Sequence, residues 1–255
     1  MEIYIPILLG LLGLVIGSFL NVCIYRLPRS ESLAFPPSRC AKCGHKLKPL
    51  DLVPVFSYLF LGSRCRYCGE KISIVYPAVE ILNAGLYLAV YFCFGLTWEL
   101  LVYGSLISLL IVAAFVDFRF QIIPDEIIII GLILGVVYAA TGISGYWLDK
   151  IIGAAAGALP LLIIGLCSLF ILKKEGMGGG DIKLMAMAGL IIGWRLVITS
   201  LLFGVILGAL ISIALMLLKA KKRGDYLPFG PFLALGIVLS IFFGNDIIHW
   251  YISLF

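Results

Sequence analysis

Two aspartates at the ends of apolar segments are the residues best placed for acid–base chemistry in this sequence. Asp181 follows the run Glu175-Gly176-Met177-Gly178-Gly179-Gly180, and Asp117 ends an apolar stretch that begins at Trp98. Two carboxylates brought close together cannot both ionise readily, so they share a proton and titrate as one unit. In such a pair the ionised member deprotonates a water, while the protonated member polarises a carbonyl and later donates to the leaving amine.

The surroundings of the two aspartates leave a functional and a structural interpretation open. Glycines accept positive φ and let another backbone approach closely, which favours a fitted junction at Asp181; the alternative is a flexible turn in which Asp181 caps a helix. Asp117 has no such local explanation, because the dipole disfavours a carboxylate at a helix C-terminus. Ala113 and Ala114 share its helix face and leave room for a second helix.

Four cysteines in the polar stretch after the first apolar segment have the spacing of a metal site. Cys40-Ala41-Lys42-Cys43 and Cys65-Arg66-Tyr67-Cys68 are two C-x2-C knuckles, each followed by a glycine that a knuckle turn can use at positive φ. We expect a bound metal, zinc, because so small an insert cannot bury much hydrophobic core and the metal would stabilise its fold. Disulfides are the alternative, and a reducing cytoplasm disfavours them.

The composition identifies a polytopic membrane protein. The 255 residues are 62% hydrophobic and 13% charged, too few polar side chains to cover a soluble globule, and a span needs roughly 20 apolar residues. We predict an all-α fold with about eight transmembrane helices, the sixth of them short, and a small cytoplasmic four-cysteine insert between the first two. The predicted segments are 4–25, 75–94, 98–117, 126–141, 151–172, 182–193, 196–218 and 231–248.

The distribution of basic residues predicts the orientation. Seventeen of the nineteen Lys and Arg residues fall in the 26–74 stretch and alternate later loops, leaving Lys150 and Arg195 on the other side. The positive-inside rule then places both termini outside and Asp117 and Asp181 at the cytoplasmic face. The net charge of +5 needs only this orientation and anionic lipid, so no nucleic-acid partner is implied. We expect the first segment to be a retained anchor, because Glu2 precedes it and no small-x-small cleavage site follows.

Three further polar residues near the cytoplasmic ends have open interpretations. Asn21 either hydrogen-bonds a neighbouring helix or takes part in binding. Glu80 is favoured electrostatically near a helix N-terminus, yet an ionisable group within a span is also a functional candidate. Lys183 points away from Asp181, and we expect it to reach headgroups or substrate.

Motifs along nearly the whole chain resemble those of the type IV prepilin peptidases, bifunctional leader peptidases and N-methyltransferases of the bacterial cell membrane. The matching stretches are Gly17-Ser18-Phe19-Leu20-Asn21-Val22 with Arg26-Leu27-Pro28, the paired knuckles around Asp51-Leu52-Val53-Pro54, Tyr76-Pro77 with Glu80, Asp117 through Asp125, Gly178-Gly179-Gly180-Asp181-x-Lys183, and Pro228-Phe229-Gly230-Pro231. Ala41 stands where the family commonly has proline, and Asn83 where threonine is usual.

The resemblance implies an aspartyl protease dyad of Asp117 and Asp181, with Gly178, Gly180 and Lys183 positioning the substrate. It implies that the insert supports methylation with S-adenosylmethionine, for which Asn21, Arg26 and Glu80 are the candidate binding residues. Expected substrates are prepilins or pseudopilins with a short basic leader followed by an apolar helix. The implied division is a first helix (1–25), a zinc-binding insert (26–74) and a seven-span protease region (75–255).

Two functions from other classes compete with this one. Membrane acids on broken helices also mark the ion pathways of transporters, although both aspartates are expected at one surface with no matching acid near the midplane. Alternatively, the four-cysteine insert is a binding module on a structural membrane protein. That function would leave Asp117 and Asp181 dispensable.

Overall fold

The computed structural model describes residues 3–143, 145–173, 177–218 and 227–254. Within these residues the chain is helical, with two isolated β-bridges and no strand. The helices, in chain order, are α1 (Tyr4–Arg26), α2 (Phe56–Phe60), α3 (Val75–Phe94), α4 (Trp98–Phe120), α5 (Asp125–Ala140), α6 (Trp147–Cys167), α7 (Gly179–Ile192), α8 (Trp194–Leu217) and α9 (Gly230–Ile252).

Six helices of the described chain are long and apolar enough to cross a membrane: α1, α3, α4, α6, α8 and α9. Many of their large apolar side chains face outward; in the most apolar window of α6 only 11% of the residues are buried. A surface of this kind suits lipid, and the protein is a multi-pass membrane protein. At 16 and 14 residues, α5 and α7 are shorter than a full crossing requires, so the count of eight spans stays a prediction.

The chain divides into two compact units, Met1–Val112 and Ala113–Phe255, and α4 begins in the first and ends in the second. The first unit therefore holds α1, the cysteine insert and α3 together. The division at residues 25 and 74 expected from the sequence concerns functional segments, and it stays a prediction.

In the first unit, α1 and α3 pack with their backbones in close contact. A Cβ on Gly13 would lie 2.6 Å from the Cα of Ala84, and one on Gly17 would lie 2.7 Å from the Cα of Glu80. Glycine at these two positions therefore permits the close packing of α1 against α3. The buried Asn83 donates to the Gly13 carbonyl at 2.7 Å and accepts from the Ser108 hydroxyl at 3.0 Å, so Asn83 ties α3 to its neighbouring helices.

In the second unit, the short helix α7 is the most buried element. Five of its apolar side chains are fully buried: Leu184, Met185, Met187, Ala188 and Ile191. Helix α6 reaches the α7 backbone through Gly153 and Gly157, where any Cβ would collide with the carbonyl oxygens of Gly189 and Met185. This close packing fixes the helix that carries Asp181.

Candidate active sites

Asp117 lies in the last turn of α4 and is held by the first residue of α9. Its side chain is buried, at 5% exposure, and its Oδ2 accepts the backbone N–H of Gly230 at 2.9 Å. Pro228, before Gly230, is also buried, and Pro231 follows at the start of α9. The rigid turn at 228–231 thus gives the buried carboxylate a backbone hydrogen-bond donor.

Asp181 is the third residue of α7 and is as buried as Asp117, at 6% exposure. The N-cap position of this helix is held by Gly178, so the alternative in which Asp181 caps the helix does not describe its position. Asp117 lies near enough for its charge to act on the Asp181 carboxyl. Both aspartates that the sequence paired therefore lie in the second unit, within range of each other's charge.

The glycines before Asp181 have ordinary backbone conformations, and two of them, Gly178 and Gly180, lie close to neighbouring side chains. Gly178 has φ −70°, and Gly178, Gly179 and Gly180 are all absent from the positive-φ residues of the described chain. Of the two glycine properties that favoured a fitted junction here, these three residues do not use positive φ; Gly176 lies outside the described residues. A Cβ on Gly180 would lie 3.1 Å from the Cβ of Ile123, and one on Gly178 would lie 3.2 Å from Oδ2 of Asp181.

Lys183 pairs with a residue of α5. Its Nζ lies 2.7 Å from Oδ1 of Asp125, and both side chains are more than half exposed. Asp125 and Glu126 occupy the first turn of α5, where the helix dipole favours acidic side chains. The ion pair occupies Lys183 in this structure, yet its exposure leaves the ammonium accessible to a substrate group.

The four cysteines of the insert form one cluster in the first unit. Their Sγ atoms all lie within 4.8 Å of one another, and those of Cys40 and Cys68 are 3.9 Å apart. Four sulfurs around a zinc ion, each about 2.3 Å from it, would be about 3.8 Å apart. The residues therefore fit a tetrahedral metal site, and all four are free of disulfides.

The two knuckles have the same backbone structure. Gly44 and Gly69 have φ of 70° and 71° and donate their N–H groups to the Cys40 and Cys65 carbonyls at 2.9 Å. The positive φ predicted for these two glycines is confirmed. The backbone N–H of Cys43 lowers the pKa of the Cys40 thiol to about 7, which favours the thiolate that a metal binds.

Asp51 joins the segment between the knuckles to the second knuckle. Its carboxylate accepts the Lys48 backbone N–H at 3.0 Å, the Tyr67 hydroxyl at 2.9 Å and Arg66 Nε at 2.7 Å. These donors, the Lys48 N–H foremost, hold the pKa of Asp51 below its usual value. Asp51 therefore orients the Cys65–Cys68 knuckle.

A cavity of about 960 Å³ lies in the first unit, between the insert and the ends of α1 and α3. Its lining includes cysteines of the cluster and all three residues that the sequence suggested for cofactor binding: Asn21, Arg26 and Glu80. The volume is at the upper end of what small-molecule sites use, roughly 300–1,000 Å³. It has room for a nucleoside cofactor and the end of a peptide together.

Asn21 and Arg26 direct their polar groups at the backbone. Asn21 donates to the Tyr76 carbonyl at 3.0 Å, as its helix-bonding interpretation predicts. The Arg26 guanidinium donates to the carbonyls of Ser32, at 2.7 Å, and Pro36, at 2.6 Å. Both side chains thus shape the cavity wall.

Comparison with known proteins finds matches over nearly the whole chain. A model of the bacterial peptidase A24 N-terminal domain matches residues 11–94, and a model of the type IV leader peptidase family matches residues 104–213. A prepilin leader peptidase/N-methyltransferase of Bacillus subtilis is 37% identical over 249 residues, covering 97% of this chain and 98% of the relative. The chain belongs to the prepilin leader peptidase/N-methyltransferase family.

Other members of the prepilin leader peptidase/N-methyltransferase family have similar coverage. The proteins of that name from Pseudomonas putida and Pseudomonas aeruginosa are 34% and 32% identical, over 96% and 95% of this chain and 92% of each relative. No solved structure matches the chain. Membership of this family does not favour the transporter or the zinc-module alternative.

Two backbone contacts in the sites were not expected from the sequence. Gly230 belongs to the matching stretch Pro228-Phe229-Gly230-Pro231, but its residues do not indicate that the Gly230 N–H meets Asp117. Val55 donates its N–H to Oε2 of Glu80 at 2.7 Å, with φ 61° and ψ −50°. A β-branched residue at positive φ is an outlier, and no feature of the sequence around Val55 predicted it.

Proposed function

We propose that this protein is a membrane aspartyl endopeptidase that removes the leader of type IV prepilins or pseudopilins and then N-methylates the new N-terminus. The observation that carries the proposal is the pair of buried aspartates in the second unit, each within a motif of the family. One chain with a dyad in one unit and a cysteine-lined cavity in the other suits two successive reactions.

In the proteolytic step the two aspartates have different environments and take different roles. The Gly230 N–H stabilises negative charge on Asp117, so Asp117 is the ionised base that deprotonates the attacking water. Asp181 holds the shared proton, polarises the scissile carbonyl and donates to the leaving amine. Burial of both carboxylates strengthens the coupling between them.

Three residues around the dyad position the substrate. Gly178 and Gly180 keep the approach to Asp181 free of side chains, so that an extended peptide backbone can lie beside it. Lys183, exposed at the start of α7, contacts a backbone carbonyl or a carboxylate of the substrate. The apolar helix of the pilin lies among the spans, while its hydrophilic leader stays in water.

The topology follows from the basic residues and the apolar segments. We propose eight spans in the bacterial inner membrane, with α5 and α7 as the two short ones, both termini outside and the dyad at the cytoplasmic face. Short helices are accommodated where neighbouring helices cover them, and α7 is covered in this way.

Methylation belongs to the first unit. The four cysteines would hold one zinc ion, which would fix the insert that forms one wall of the cavity, and the cavity would receive S-adenosylmethionine. This cofactor supplies an electrophilic methyl group. Asn21 and Arg26 keep the cavity open through their backbone hydrogen bonds, whereas Glu80 lies on its membrane side.

The proposal is tested with the purified full-length protein in lipid and a candidate prepilin. Incubation with S-adenosylmethionine followed by intact-mass analysis reads both activities at once. We expect loss of the leader mass and a gain of one methyl group. An uncut prepilin would overturn the peptidase assignment, and a cut but unmethylated product would overturn the transferase assignment.

A further inference from the structure

Glu80 is the buried carboxylate of the cavity in the first unit. The other acidic side chains of its lining are Glu31, Asp51 and Glu70. Glu31 and Glu70 are exposed, and the Asp51 carboxylate is occupied by Lys48, Arg66 and Tyr67. Glu80 is 7% exposed, so a cation bound beside it would be well shielded from water.

The Glu80 carboxylate retains acceptor capacity. Its Oε2 accepts the Val55 N–H at 2.7 Å, and the Ser18 side chain lies close enough to act on the carboxylate as a donor. An ionised carboxylate offers about four acceptor sites, so two recorded donors leave room for a further donor. The neighbouring polar groups of Asn21 and Arg26 bind backbone carbonyls, which makes Glu80 the cavity residue suited to a positively charged ligand group.

A strained turn fixes the position of this carboxylate. Val55 is the central residue of a γ-turn with positive φ, closed by a hydrogen bond from the Phe56 N–H to the Pro54 carbonyl at 2.6 Å. The turn aims the Val55 N–H at Glu80, and backbone strain of this kind persists where the surroundings enforce it. From the other side, the α1 backbone at Gly17 packs against the Glu80 Cα.

The location of Glu80 suits the end of an apolar helix. Glu80 is the sixth residue of α3, a helix of membrane-crossing length. A cleaved pilin ends in an α-ammonium attached directly to an apolar helix, so that group stays near the membrane surface. An α-ammonium is protonated at neutral pH and must lose its proton before its nitrogen can attack a methyl group.

We propose that Glu80 binds the α-ammonium of the cleaved pilin and accepts its proton. This inference rests on the methyltransferase activity proposed above. The proton passes from nitrogen to the Glu80 carboxylate, and the freed nitrogen lone pair forms a bond to the methyl carbon of S-adenosylmethionine. The carbon–sulfur bond breaks, its electron pair goes to sulfur, and the products are the N-methylated peptide and S-adenosylhomocysteine.

The test uses the full-length protein, S-adenosylmethionine labelled in its methyl group, and a synthetic peptide with the N-terminus of a mature pilin. Supplying the cleaved peptide separates methyl transfer from leader removal. Glu80→Gln keeps an acceptor for the Val55 N–H but loses the negative charge and the basicity. Glu31→Gln is the matched control, because it removes an exposed carboxylate from the lining of the same cavity.

We expect Glu80→Gln to lower methyl transfer about 100-fold or more, in the range of general-base effects. Glu31→Gln should keep wild-type transfer and wild-type binding of S-adenosylmethionine. If wild-type protein transfers no methyl group, the proposed methyltransferase function itself fails. If the wild type is active and Glu80→Gln is equally active, the Glu80 inference alone is overturned.

A binding measurement tests contact with the ammonium independently of turnover. Wild-type protein should bind the free-amine peptide about 10- to 100-fold more tightly than its N-acetylated form, the range for a hydrogen bond to a charged group. Glu80→Gln should lose this preference, and Glu80→Asp, which keeps the carboxylate, should retain part of it. A full preference in Glu80→Gln would overturn the proposal, because the ammonium would then be bound elsewhere.

Discussion

The backbone N–H of Gly230 donates a 2.9 Å hydrogen bond to Oδ2 of Asp117, across 113 residues of sequence. The helix dipole disfavours a negative charge at the C-terminal end of α4, and this hydrogen bond offsets that effect for the buried Asp117 carboxylate. No similar backbone donor is recorded for Asp181 among the described residues. The two aspartates therefore differ in environment, and this difference assigns the base and the acid of the proposed dyad.

Gly230→Ala should impair cleavage without unfolding the protein. The new Cβ would lie 2.7 Å from Asp117 Oδ2, so the carboxylate must shift away from the N–H. Loss of a hydrogen bond to a charged group predicts a decrease of about 10- to 100-fold in kcat/KM for leader cleavage. Gly85→Ala is the control, because a Cβ there meets open space on α3. Wild-type kcat/KM in Gly230→Ala would show that this contact does not position Asp117.

The glycines before Asp181 should differ in their tolerance of a side chain. Gly180→Ala places a methyl group 3.1 Å from Ile123 and displaces the start of α7, whereas a Cβ at Gly179 meets no atom within 4 Å. We expect about a tenfold or larger loss of cleavage rate for Gly180→Ala, since small displacements of catalytic groups are costly. Gly179→Ala should stay near the wild-type rate. Equal rates for the two variants would contradict the close-approach role of Gly180.

The cysteine cluster predicts about one zinc ion per chain. Elemental analysis of the purified protein checks the content, and the double variant Cys40→Ser with Cys65→Ser should lose the metal. Protons compete with zinc for the thiolates. Zinc retention against a chelator should therefore weaken as the pH falls. Protein prepared without chelator that contains no zinc would remove the metal assignment.

Substitution of Lys183 should affect the KM for prepilin more than the thermal stability of the protein. An exposed ion pair contributes at most about 1 kcal/mol, and the pair with Asp125 is exposed on both sides. We expect Lys183→Ala to raise KM for prepilin while the thermal unfolding temperature stays within a few degrees of wild type. Asp125→Ala is the comparison, because it removes the pair and leaves the ammonium. If both variants raise KM equally, Lys183 acts only through Asp125.

Features with a local physical signal were predictable from the sequence. The knuckle spacing and the glycines after it predicted the cysteine cluster and the positive φ of Gly44 and Gly69. Apolar runs predicted the helices to within a few residues, since length and hydropathy decide a membrane helix.

Features that depend on distant contacts were not predictable in this way. A backbone N–H carries no side-chain signature, so the Gly230–Asp117 hydrogen bond and the Val55–Glu80 hydrogen bond had no signal of their own. The hydrogen bonds of Arg26 to the Ser32 and Pro36 carbonyls likewise had no signal in the sequence. Glycines before Asp181 could have been needed either for positive φ or for close approach of another segment. The sequence does not distinguish the two, whereas the structure shows close approach without positive φ.

Leader cleavage by Asp117→Asn and Asp181→Asn, each reconstituted in lipid, tests the central claim most directly. Asparagine is nearly isosteric with aspartate but neither carries the charge nor exchanges the proton. Both single variants should insert and fold, and each should cleave prepilin about 100- to 10,000-fold more slowly than wild type, the range of general acid–base effects. Near wild-type cleavage by either variant would contradict the two-aspartate mechanism.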